Sequence, residues 1–117
     1  MKTLATQQEF EALWFHKAEE PAKANPEGLR ATDNGWIVYF TASWCGPCKK
    51  LQCDELDATA EEKGLTIFKC DDTVNDYTAG YCGVRSFPTF VFFQPKKIVA
   101  KIQSNQTEVV QAWIRGL

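Results

Sequence analysis

Apolar residues recur at two different periods along this chain, and the change of period divides it into elements. Between residues 7 and 20, Phe10, Leu13, Trp14 and Ala18 fall at helical spacing with Phe15 beside them, which predicts an amphipathic helix that stops before Pro21. The pattern dissolves between 21 and 35, where Pro21, Pro26, Gly28 and Asp33-Asn34-Gly35 predict a long loop leading into a turn. Trp36-Ile37-Val38-Tyr39-Phe40 is then unbroken in aromatic and β-branched residues. A strand of that kind has no wet face, so both faces must be covered, as in the middle of a helix-flanked sheet.

Helical spacing returns at Cys45-Gly46-Pro47-Cys48 and continues to about Lys63, where Gly64 ends it. Leu51, Leu56 and Ala60 fall on the inner side of that helix; Lys49, Lys50, Asp54, Glu61 and Glu62 mark the wet side. Leu65 to Cys70 reads as the next strand, and Thr73 to Tyr81 as a short helix capped by Asp72 or Thr73. Thr89 to Phe93 and Ile98 to Ile102 are strands joined by Gln94-Pro95-Lys96-Lys97, a link short enough to make them an antiparallel hairpin. Thr107 to Arg115 closes the chain as a helix, with Val109, Val110, Trp113 and Ile114 available to a core. Strands and helices in this order predict an α/β fold with a central mixed β-sheet flanked by helices on both faces.

Size and composition narrow the picture. At 117 residues, 44% of them hydrophobic, the chain is long enough for one domain, 1–117, with a packed core that needs neither metal nor disulfide staples. A formal net charge of −2 argues against a nucleic-acid partner found by bulk electrostatics. No run of ~18 apolar residues occurs, so no membrane span is expected, and MKTLATQQEF has neither the apolar stretch nor the cleavage site of a secretory signal. The five cysteines, Cys45, Cys48, Cys53, Cys70 and Cys82, are an odd number, which suits a reducing compartment such as the cytoplasm better than a disulfide-stapled secreted fold.

The chemistry concentrates in Trp44-Cys45-Gly46-Pro47-Cys48, at the passage from an apolar strand into a helix. Residues i and i+3 of a helix share a face with β-carbons roughly 5–6 Å apart, close to what a disulfide requires. Thiolates are the attacking species, and a helix N-terminus stabilises one with unpaired N–H groups and its positive end. Cys45 at that terminus is the expected nucleophile; Cys48, one turn in and shielded, is the expected resolving thiol. Pro47 suits a first turn where its missing N–H is not needed, Gly46 lets a partner chain come close, and Trp44 offers an apolar lip.

WCGPCK resembles the active site of thioredoxins, and Tyr39 to Cys48 is similar to the cytosolic thioredoxins of eukaryotes in particular. A second stretch, Gly83-Val84-Arg85-Ser86-Phe87-Pro88-Thr89, resembles the family segment that carries a cis-proline facing the disulfide. The resemblance covers 36 to 116 and implies a thioredoxin fold and a monomer with no cofactor beyond its cysteines. It also implies a cis Pro88 against the sulfurs and a Phe87 backbone that pairs with a substrate strand. The activity implied is reduction of disulfide-containing client proteins, with regeneration by an NADPH-dependent thioredoxin reductase.

The chain departs from the family pattern at several places. Tyr39 stands where the family carries a buried Asp, leaving Lys69 without that partner; its hydroxyl could lie near Cys48 or the residue could simply pack, and the apolar surroundings favour packing, with the Cys48 proton passing to water or substrate. Cys53 replaces a helix-kinking proline, so a straighter helix is expected. Gln103 or Ser104 replaces a glycine at the groove, and the 21–35 loop is longer than the family's, as a tolerated surface insertion would be.

Other readings of these residues compete. A zinc site would need further ligands from Cys53, Cys70, Cys82 and His16, which form no second close pair. The three extra cysteines read as small buried hydrophobes, with Cys82 the best candidate for a secondary regulatory thiol. His16 reads as a solvated surface residue, Phe90 to Phe93 as core strand, and the 95–97 turn as a solvated hairpin tip that discourages edge pairing. Rivals to a reductase are an oxidase or isomerase using the same exchange in the other direction, and a binding module for which the cysteines are dispensable.

Overall fold

The computed structural model describes residues 1–15, 35–94 and 97–117, with only the backbone of 12, 14 and 15. His16, the end of the first helix, the 21–34 loop and most of the Lys-rich tip therefore lie outside the described residues. The described elements are β1 (Lys2–Thr3), α1 (Gln7–Phe15), β2 (Trp36–Thr41), a 3-10 turn (Pro47–Lys50), α2 (Cys53–Glu62), β3 (Ile67–Asp71), α3 (Asp76–Tyr81), β4 (Thr89–Gln94), β5 (Lys97–Gln103) and α4 (Thr107–Arg115).

The unbroken apolar run from Trp36 becomes the middle strand of a five-stranded sheet ordered β1-β3-β2-β4-β5. Its neighbours differ in direction: β3 lies parallel to it and β4 antiparallel, while β4 and β5 form the predicted hairpin. Because side chains alternate along a strand, the run supplies two cores at once. Trp36, Val38 and Phe40 join Phe68, Val91 and Phe93 under α1 and α3. Ile37 and Tyr39 join Ile67, Phe90 and Phe92 under α2 and α4. Each fully buried side chain of this size contributes about 1.5–3 kcal/mol, so the sheet is held from both sides.

Several expected boundaries move, each for a local reason. Strand β1 is not legible in the pattern: it is two exposed residues, placed by parallel pairing to β3 and by the Leu4 N–H donating to the Lys69 carbonyl at 2.7 Å. The strand expected from Leu65 starts two residues later, since Leu65 closes α2. Its N–H donates to the Ala60 carbonyl at 2.9 Å across Gly64 at φ 70, the left-handed cap that glycine favours. The helix expected from Thr73 starts at Asp76. Asp71 first forms a turn, its side chain accepting from the Thr73 N–H at 2.9 Å, and Asn75 is the cap in place of Asp72 or Thr73, accepting from the Thr78 N–H at 3.3 Å. Helix α4 has the expected bounds, but Val109 faces solvent while Val110 and Ile114 are buried.

The largest correction is at the cysteine segment. Residues 45–63 do not form one helix: the 3-10 turn ends at Lys50, Leu51 is extended (φ −76, ψ 137), and α2 begins at Cys53. Leu51 thereby reaches the core, and the Gln52 N–H finds its acceptor in Thr107 Oγ1 of α4 at 3.0 Å. The expectation of a straighter helix therefore fails. Cys53 stands at the first position of α2, where an N–H has no intrahelical acceptor, so replacing proline there straightens nothing.

Candidate active site

The parallel strands β2 and β3 end side by side, with Thr41 opposite Asp71, and the chemistry lies beyond their carboxyl ends, where α/β sheets carry their sites. Ser43 ties the two ends together: its hydroxyl donates to Asp71 Oδ2 at 2.9 Å and its N–H donates to Thr73 Oγ1 at 3.1 Å. The chain then turns tightly, with the Cys45 N–H donating to the Ala42 carbonyl at 3.0 Å.

Cys45 and Cys48 are joined as a disulfide with their Cα atoms 5.4 Å apart. Gly46 takes a helical conformation (φ −61, ψ −50), Pro47 opens the 3-10 turn, and the Cys48 N–H donates to Cys45 Sγ at 3.2 Å. That amide does the work expected of a long helix; with α2 beginning only at Cys53, no extended dipole stands behind Cys45. The disulfide leaves both residues covered, Cys45 at 3% and Cys48 at 5% exposure, so Cys45 is not the more open of the two in this state.

The two expected stretches do meet. Trp44 is 70% exposed and its ring meets Phe87 edge-on, centroids 5.7 Å apart. The Phe87–Pro88 peptide is cis and Pro88 is buried. Phe87 packs against the core cluster that contains both active-site cysteines. Gly46 has open space where a side chain would be, and Pro47 is exposed beside it. Gln103 lies opposite Thr89, the residue after Pro88, in the sheet register.

Behind the disulfide is a cleft of about 290 Å³ lined by Cys45, Cys48, Tyr39, Thr41, Cys53, Lys69 and Asp71, among others. Tyr39 both packs and bonds. Its ring stacks on Phe90 (centroids 4.8 Å, planes 11° apart) and its hydroxyl donates to the Cys48 carbonyl at 3.4 Å. Burial raises its pKa; a hydrogen bond from Thr41 acts in the opposite sense, and the charges of Cys53 and Asp71 add to the rise. Asp71 is held below its ordinary value: partial burial works against this, but the Thr73 N–H, the Ser43 and Thr73 side chains and the Lys69 charge outweigh it.

The three other thiols differ in setting. Cys70 and Cys82 are buried, and burial pushes each up to about 12. This removes Cys82 as an accessible regulatory thiol. Cys53 is only half-buried; burial raises its pKa while Lys69 pulls it down. Sequence reasoning missed Thr41, Asp71 and Thr107 as parts of the site. The first two were within reach, since Thr41 is two residues beyond Tyr39 and Asp71 two beyond Lys69, hence on the same faces of their strands.

A thioredoxin family model matches residues 19–116. The thioredoxin of Mycoplasmoides gallisepticum is 38% identical over 80 residues, covering 68% of this chain and 79% of that protein. The X-ray structure of Fasciola hepatica thioredoxin superposes with a TM-score of 0.69 at 26% identity, covering 99% of this chain and 98% of the other. A chain from the structural work on thiol resolution in a yeast mitochondrial 1-Cys peroxiredoxin via glutathione/thioredoxin systems shares the fold, with a TM-score of 0.74 at 22% identity, covering 100% and 95%. With the family model matching most of the chain and the fold shared with these structures, the protein belongs to the thioredoxin family as a disulfide oxidoreductase whose redox-active centre is the Cys45–Cys48 pair.

Proposed function

We propose that the protein is a dithiol carrier that reduces disulfides in client proteins, with Cys45 as nucleophile and Cys48 as resolving thiol. The single observation that carries the assignment of roles is the Cys48 N–H directed at Cys45 Sγ, 3.2 Å away. A backbone donor at that sulfur favours its thiolate, and among the described residues no amide is directed at Cys48 Sγ. In the reduced protein the Cys45 thiolate attacks one sulfur of a client disulfide. A Cys45–client bond forms, the client S–S bond breaks, and the departing client sulfur takes up a proton. Cys48 gives up its proton and attacks Cys45 Sγ, which forms the Cys45–Cys48 disulfide and frees the second client thiol. Two electrons have then passed to the client, and a dithiol donor must return them.

Trp44, Gly46, Pro47, Phe87 and Pro88 form the client-binding lip in this reading. Apolar contact with Trp44 and Phe87 holds the client, and the open space at Gly46 lets its backbone approach. The donor is an NADPH-dependent thioredoxin reductase, and the protein works as a monomer in the cytoplasm, where a reducing pool sustains the cycle. The structural neighbour from work on thiol resolution in a yeast mitochondrial 1-Cys peroxiredoxin via glutathione/thioredoxin systems supports proteins as clients here.

Trapping tests the roles. Cys48→Ser is expected to accumulate disulfide-linked clients on Cys45, and Cys45→Ser to accumulate none; the reverse pattern would exchange the roles, and no trapping by either would remove the carrier reading. Direction is tested by equilibration with glutathione. A potential of about −270 mV marks a reductant, whereas one of about −180 mV would make the protein an isomerase-type oxidant.

A further inference from the structure

The 3-10 turn that carries the sulfurs is too short to hold itself. In an uninterrupted α-helix the Cys48 carbonyl would accept from the Gln52 N–H. Here Leu51 is extended, with its side chain in the core, and the Gln52 N–H goes to Thr107 Oγ1 at 3.0 Å. The Cys48 carbonyl keeps the Leu51 N–H at 3.3 Å, and its second donor comes from the central strand, the Tyr39 hydroxyl at 3.4 Å. That hydroxyl is aimed. Its ring lies flat on Phe90, with centroids 4.8 Å apart, and this stack fixes the plane from which the hydroxyl reaches the carbonyl. Tyr39 is buried, so an O–H turned away from the carbonyl would lose its partner at a cost.

We propose that Tyr39 is a positioning residue for the resolving thiol: its hydroxyl, by holding the Cys48 carbonyl, keeps Cys48 Sγ turned toward Cys45 once Cys45 is bonded to a client. The proposal rests on Cys45 being the attacking sulfur and Cys48 the resolving one. The balance of the step is unchanged: the Cys48 thiolate forms a bond to Cys45 Sγ, the Cys45–client bond breaks, and the client sulfur leaves as a thiolate that is protonated from solvent. What the tether alters is how often Cys48 stands in line for attack. The first step does not need it. Cys45 is set by its own N–H on the Ala42 carbonyl, and the opening of the turn by the Lys49 N–H on the Gly46 carbonyl at 3.1 Å.

Tyr39→Phe keeps the ring and its stack on Phe90 and deletes the hydroxyl. Attack is measured alone in a Cys48→Ser background, as the rate of mixed-disulfide formation with a model protein disulfide. Resolution is measured in the two-cysteine protein, as release of the second client thiol. Tyr39→Phe is expected to slow resolution about fivefold, the equivalent of one modest buried hydrogen bond, and to leave attack within about twofold. Resolution at the wild-type rate, or an equal loss in both steps, overturns the proposal, since a residue that merely packs would not divide the two. If Cys45→Ser rather than Cys48→Ser traps the client, the assignment of roles fails, and this is seen before Tyr39 is touched. Should Tyr39→Phe not fold, Phe90→Leu keeps the phenol but removes the ring on which it lies; slowed resolution with unchanged attack supports the proposal, and both steps at wild-type rates overturn it.

Discussion

At the residue scale, one cysteine type occupies three environments, and these set different reactivities. Cys45 has a backbone donor at its sulfur, Cys53 is half-buried with its pKa raised, and Cys70 and Cys82 are enclosed. Thiolate fraction and access together govern alkylation. In the oxidised protein near pH 7, iodoacetamide is therefore expected to label Cys53 slowly and to leave Cys70 and Cys82 unmodified until the chain is denatured; after reduction Cys45 should be labelled fastest. Peptide mass spectrometry over time reads the order, and Cys82 reacting ahead of Cys53 would contradict the buried setting described for it. The thiols' identity was legible in the sequence, but their ranking was not. Cys53 and Cys82 both read as small apolar residues, and only packing separates a half-open position on the cleft from one enclosed at the C-terminal end of α3.

At the element scale, the break after the 3-10 turn needs donors and acceptors from outside it. Thr107 is buried and its Oγ1 accepts the Gln52 N–H, so Thr107→Val leaves that N–H without its partner. Such a loss costs about 1–3 kcal/mol, and urea unfolding of the oxidised protein should show a lowered midpoint at unchanged slope. A midpoint equal to wild type would mean that water replaces the hydroxyl at no cost. Asn75 does similar service for α3. It accepts from the Thr78 N–H, and its amide donates to the Leu4 carbonyl at 3.3 Å and to Thr78 Oγ1 at 2.8 Å. Asn75→Ala removes a cap and a link to β1 together, and a loss of about 1–2 kcal/mol is expected in the same assay; an unchanged stability would show the cap to be dispensable. The Thr107 bond could not be read in advance, since Gln52 and Thr107 are joined only when α4 packs against α2, whereas the Asn75 cap is local, three residues from Thr78.

At the scale of the whole molecule, Cys70 and Cys82 link stability to pH. Each has an ordinary value of 9.0, is pushed up to about 12 by burial in the folded state, and ionises near its ordinary value when unfolded. Between about 9 and 12 the folded chain therefore binds more protons than the unfolded one, so stability is intact below that window and falls as pH rises through it. Thermal melts of the oxidised protein from pH 8 to 11 should fall more steeply for wild type than for Cys70→Ala/Cys82→Ala; parallel curves would show that these thiols do not supply the linkage. The double-sided sheet makes such burial possible. Alternating residues of β2 and β4 feed two cores, and Cys70 on β3 is enclosed in one of them together with Cys82.

Periodicity and local chemistry determined much of this protein without the structure. An unbroken apolar strand must be central, a hairpin follows from a short polar link, and Cys-Gly-Pro-Cys at a turn implies thiol–disulfide exchange. Those features depend on neighbours within a few residues, which a sequence displays directly. Tertiary structure alone decided the rest. It placed a two-residue edge strand by pairing, and broke the expected 45–63 helix so that Leu51 could reach the core. It also brought the Tyr39 hydroxyl to the Cys48 carbonyl, nine residues away in sequence. The physical reason is common to all three: a buried polar group or an exposed apolar one is resolved by whatever partner the packed fold brings within reach, and that partner is not a neighbour in the chain.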